Sequence, residues 1–109
     1  MFGRKQVGRV GEIDVTDYGF LDGSIEFARF WNEPDGPQTF IIEPRNIGAD
    51  PFLFGMALAD AVRHGAKAYA AAVNISEDDA LERIFEGFDA ERSNPTDVPI
   101  DKTPAGDPN

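Results

Sequence analysis

Asp50-Pro51 is a helix start: a capping side chain is followed by proline at the first helical position, where a missing N–H does no harm. The apolar spacing after it predicts a helix running to Val73. Such a helix is about 34 Å long at 1.5 Å per residue. In a chain of 109 residues, everything else has to be arranged along that rod. Leu53, Phe54, Ala57, Leu58, Ala61, Val62, Ala68, Tyr69 and Ala72 share one broad face, and Asp60, Arg63, His64 and Lys67 share the other. Gly65 falls within the apolar face. Glycine there costs a helix about 1 kcal/mol relative to alanine, and close approach of another backbone is the expected reason.

A second helix follows at once. Ser76 is its cap, and Glu77, Asp78 and Asp79 place negative charge in the first turn, where the helix dipole favours it. Leu81, Ile84, Phe85 and Phe88 form the i, i+3, i+4, i+7 stripe of an amphipathic helix. Seven acids and one base (Arg83) lie between residues 77 and 91. Ser93-Asn94-Pro95 stops the helix.

The clearest strand is Gln38 to Glu43, β-branched and aromatic, and ended by Pro44. A lone strand cannot satisfy its backbone groups. Its partner is expected from residues 6–16, where Glu12 to Thr16 alternates polar and apolar, or from a second copy of the chain. Asp22-Gly23-Ser24 can cap a helix to about Asn32, with Phe27, Phe30 and Trp31 on one arc and Glu26 and Arg29 opposite. A strand is the competing reading of so aromatic a run. Pro34-Asp35-Gly36-Pro37 forces a turn. These elements predict an α+β fold, a two-layer sandwich with a small antiparallel sheet covered on one face by about three helices. Residues 1–94 are expected to form one domain with 1–5 mobile, and 95–109 a disordered proline-rich tail.

Composition narrows the chemistry. Twenty acids against ten bases give a net charge of −10, which disfavours nucleic acid and any polybasic membrane contact. Cysteine is absent, so disulfides, thiolate nucleophiles and cysteine-held metals are excluded. No apolar run reaches the ~20 residues of a membrane span, and a cytoplasmic location is the default expectation. No phosphate-binding glycine-rich loop is present. Gly8-Arg9-Val10-Gly11 has the G-x-x-G form of some RNA clamps, but it does not lie between two helices. Nothing in the sequence calls for a cofactor or a metal.

The helix S-I-E-F-A-R-F-W, the long helix F-G-M-A-L-A-D-A-V-R-H-G-A-K-A-Y-A and the ending G-F-D-A-E-R-S-N-P-T-D resemble a small, mostly alphaproteobacterial family built on a domain of unknown function. The resemblance runs from Ser24 to Asp97. It implies a small sheet covered by helices and brings no activity, substrate or site residues.

Two candidate sites remain. His64 is the sole histidine; it faces Asp60 at i, i+4 and neighbours Arg63. Asp60, Arg63 and His64 could bind a small anionic metabolite or supply a carboxylate-oriented general base. The plainer reading is a surface histidine with a helix-local partner. Asp78, Glu82, Glu86 and Asp89 line one side of the last helix and could dock a basic protein; the plainer reading is a solvated acidic face. The aromatic residues read as core, with Phe52 set apart from the main apolar arc and suspected of facing a partner. With no catalytic set and an unpaired strand, the sequence points to a non-enzymatic interaction or accessory domain acting as a homodimer. The alternative is the anionic-metabolite binder or minor enzyme built on Asp60, Arg63 and His64.

Overall fold

A computed structural model describes residues 9–96. Its regular elements are β1 (Ala28–Trp31), β2 (Thr39–Ile42), α1 (Pro51–Val73) and α2 (Glu77–Ser93), with short 3-10 turns at Gly19–Leu21 and Pro44–Asn46. The expectations for residues 1–5 and for the tail beyond 96 lie outside the described residues. Pro95 and Thr96 are within them, and the Thr96 N–H donates to the Glu91 carboxylate at 2.8 Å just past the end of α2.

Both helices begin as their sequences require. The Asp50 carboxylate accepts from the Phe52 N–H at 3.0 Å with Pro51 at the first position. Ser76 Oγ accepts from the Asp79 N–H, also at 3.0 Å. Asn74 closes α1 in the left-handed conformation, φ 59°, one that a short amide side chain tolerates. Only Ile75 then separates this residue from the Ser76 cap, so α2 folds back on α1 as a helical hairpin.

The face of α1 that packs is rotated from the expected one. Leu58, Val62, Gly65, Ala66 and Ala70 are shielded, whereas Ala61, Ala68, Tyr69 and Ala72 are exposed. Gly65 does face a neighbour, but it is a side chain: a Cβ built on it would lie 3.7 Å from Ile84 Cδ1. This is ordinary contact and not the backbone approach expected. The glycine surface is therefore taken by the chain's own second helix.

The strand over residues 38–43 finds its partner inside the chain. Residues 28–31, expected as helix, form β1 and pair antiparallel with β2 in the register Ala28↔Ile42, Arg29↔Ile41, Phe30↔Phe40, Trp31↔Thr39. The turn explains the outcome. The Gly36 N–H donates to the Glu33 carbonyl, and Asp35 takes φ 63° after Pro34, the arrangement of a type II turn. Two short aromatic and β-branched runs joined this way gain cross-strand pairs, such as the edge-to-face contact of Phe30 and Phe40 at 4.9 Å. A lone turn or two of helix would gain only the i, i+4 contact of Phe27 with Trp31. The expected strand at 12–16 does not form; residues 9–25 make bonds only to near neighbours.

The described chain is thus α+β, with two helices and a two-stranded sheet. The Glu43 N–H donates to the Phe27 carbonyl at 2.8 Å, and Asn46 Nδ2 to the Glu26 carbonyl at 2.8 Å. Phe27 meets Phe54 of α1 edge-on at 6.5 Å. Beyond such contacts the hairpin and the helices share little packing. Among the described residues only Ala66 and Ala80 are buried, at 4% and 2% exposure. Among these residues no large side chain is fully enclosed, so none of them realises the full ~1.5–3 kcal/mol of a buried Leu, Ile or Phe.

Candidate functional site

The two sites read from the sequence are assembled by helix geometry alone. On the outer face of α1, Arg63 Nη2 lies 3.1 Å and His64 Nε2 3.8 Å from Asp60 Oδ1. All three side chains stand in solvent, and among the described residues none from another element converges on them. Neither the concavity lined by Phe27, Trp31 and Ile41 nor the one lined by Glu12 to Thr16 touches them. A general base needs a substrate held against it, and this face has no wall to hold one.

Asp78, Glu82, Glu86 and Asp89 share the exposed side of α2. Glu86 is tied to Arg83 at 2.6 Å, and Lys67 of α1 reaches Glu77 at 3.2 Å. Among the described residues, no three acids or histidines are clustered closely enough to hold a metal ion.

The sequence did not single out the features that stand out in three dimensions. One is a shallow, open concavity of about 290 Å³ on one side of the sheet, lined by Arg9, Phe27, Arg29, Trp31, Ile41 and Glu43 among others. Three of its charged residues, Glu26, Arg29 and Glu43, are paired locally. Glu26 grips Arg29 with both oxygens at 2.7 and 2.8 Å, and Glu43 grips Arg45 at 2.7 and 2.8 Å. The Glu43 carboxylate also accepts from the Arg45 N–H. Hydrogen bonds from the Arg45 side chain, then from its backbone, hold the Glu43 carboxyl down at about 2. The Arg29 side chain likewise lowers Glu26. Such self-satisfied pairs have little left to offer a ligand.

The other feature is the opposite side of the sheet. Residues directly paired across strands point the same way, so Ala28, Phe30, Phe40 and Ile42 form a face without one polar side chain. Phe30, Phe40 and Ile42 are exposed, and so are Phe85 and Phe88 on α2 and Phe52 and Met56 on α1. The signal for the sheet face was present as two apolar runs flanking Pro34-Asp35-Gly36-Pro37. It was missed because residues 24–32 also fit a helical arc.

No helix among the described residues is long and apolar enough to cross a membrane. No curated protein matches the sequence. A solved structure from the photosynthetic bacterium Rhodopseudomonas palustrus CGA009, provisionally named a pyruvate dehydrogenase, is 34% identical. The match covers 95% of this chain and 99% of that one, with a TM-score of 0.58. Residues 21–96 match the family described as Domain of unknown function (DUF5076), which takes in both strands and both helices, and the chain belongs to that family.

Proposed function

We propose that this chain is a non-enzymatic accessory domain that works as a homodimer, its two-layer sandwich completed only when two copies meet. The observation that carries this reading is the area left open. Among the described residues only Ala66 and Ala80 are buried, while Phe30, Phe40, Ile42, Phe85 and Phe88 each keep 41–55% of their surface exposed. A standard interface takes about 800 Å² from each partner, and obligate dimers take more. Much of what is open is apolar, as an obligate interface requires.

The basis for dimerisation has thus moved. The sequence argued it from an unpaired strand; that strand is paired, but the sheet it forms is uncovered. The metabolite-binding reading draws less from the geometry, since Arg63 is engaged by Asp60 in open solvent. The neighbour's provisional name points to pyruvate oxidation, yet the concavity beside the sheet is open, and its Glu26, Arg29 and Glu43 are engaged in local ion pairs. Light scattering at micromolar concentration tests the proposal. The expected mass is twice 11.9 kDa; a monomer throughout a dilution series from high micromolar would refute it.

A further inference from the structure

Resting on that reading, we infer how the copies meet: the apolar sheet face of one chain, centred on Phe30 and Phe40, seats on the partner's α2 at Phe85 and Phe88, and the reverse contact is made at the same time. Two separate faces of the chain lack cover. One is Phe30, Phe40 and Ile42 on the sheet; the other is Phe85 and Phe88 on α2. These five side chains retain between 41% and 55% of their exposure. At ~150–250 Å² for each aromatic ring, they leave roughly 500 Å² open together. That is more than half of what one partner contributes to a standard interface of about 800 Å² per side.

Symmetry favours this seating over its rivals. In a two-fold dimer, if residue i contacts j, then j contacts i. One operator therefore covers both faces when sheet meets helix. Sheet against sheet would leave the helical face open, and helix against helix the sheet. Adding strands edge to edge would cover neither, because side chains stand off the sheet plane. Nor does Arg9, the first described residue, cover the sheet face. Arg9 lies in the concavity with Arg29 and Ile41, which is the other side of the sheet from Phe40. The Phe30–Phe40 edge-to-face pair is already formed in the single chain, so it presents a preorganised aromatic anchor of the kind that dominates interface energies. A sheet layer over a helix layer is also the architecture the sequence predicts for this chain.

The absence of native cysteine makes the test clean. Separate Phe40→Cys and Phe88→Cys chains are mixed and oxidised with copper phenanthroline, and Phe30→Cys is paired with Phe85→Cys in the same way. A disulfide demands Cα atoms within about 7 Å. The inference expects mixed-pair crosslinks to exceed both self-pairs at one or both couples. Phe40→Glu and Phe88→Glu should each weaken the dimer about 30-fold or more with helical circular dichroism retained, while His64→Glu on the polar face leaves it intact. Dominant Phe40 self-crosslinking would show sheets stacked on each other and overturn the seating, with the dimer reading standing. A native dimer that crosslinks at none of these couples would do the same. A native monomer would overturn both.

Discussion

Two glycines beside the long helix should respond to alanine in opposite directions. Gly65 sits mid-helix in α1, and its added Cβ would lie 3.7 Å from Ile84 Cδ1, an ordinary contact distance. Gly65→Ala therefore gains helix propensity, about 0.4–1 kcal/mol, with no steric term against it. Gly48 is the reverse case. Its φ is 137°, where a side chain is strained by about 1–3 kcal/mol, and its Cβ would collide with Leu53 Cδ1. Leu53 would have to leave its place in the first turn of α1. In a domain of this size 1 kcal/mol moves the melting temperature by about 4–8 °C. Gly65→Ala should thus raise it by about 2–8 °C, and Gly48→Ala should lower it by at least 4 °C. Thermal and urea unfolding followed at 222 nm, at one fixed protein concentration because association adds its own stability, read both. A destabilised Gly65→Ala would refute the reasoning. It would mean that α1 and α2 approach more closely than Ile84 Cδ1 indicates, and that the glycine serves the close backbone contact the sequence suggested.

Ser76→Ala removes the cap that accepts from the Asp79 N–H and should cost about 1 kcal/mol, visible as a drop in urea midpoint with unchanged slope. Acid should loosen the junction between β2 and the loop before α1. Glu43 has a folded value of about 2 against an ordinary 4.5, so its contribution is complete above pH 4.5 and is lost as the pH falls towards 2. A carbon-detected carboxyl titration should place its midpoint near the lower value, and Arg45→Ala should return it to the ordinary range. A Glu43 midpoint near 4.5 in the native chain would show that the Arg45 clasp does not persist in solution.

Which parts of this fold could be read from the sequence follows from how local their causes are. The caps at Asp50 and Ser76 and the turn at Pro34 are decided by residues within four positions of one another, and all were legible. The choice between helix and strand for residues 27–31 was not, because Phe27, Phe30 and Trp31 satisfy a helical arc as well as they line a strand. What decides it is pairing across the turn with Phe40 and Ile42, a contact over about ten residues. The rotation of the packed face of α1 has the same origin. Alanines lie all around residues 57–72, so the apolar period leaves the facing side open, and Ile84 and Leu81 of α2 settle it. The candidate trio Asp60, Arg63 and His64 was legible as a juxtaposition, since i, i+3 and i+4 spacing brings such residues together on any helix. That is why the juxtaposition alone carries little weight for function.

A periodic apolar pattern states that a face requires cover; it does not state what provides it. Phe85 and Phe88 fall in one stripe with Leu81 and Ile84, yet α1 shields only the latter two. The stripe is longer than the contact α1 makes with it. The same is true of the sheet, where among the described residues Phe30 and Phe40 find each other but nothing above them. Leaving such rings in water forfeits free energy at about 25 cal/mol per Å², so the roughly 500 Å² on these five side chains corresponds to about 12 kcal/mol of unused driving force before the entropy of association is subtracted. That is comparable to the whole stability of a domain of this size, about 5–15 kcal/mol. In the proposed dimer, that free energy would be gained between copies and not within one core.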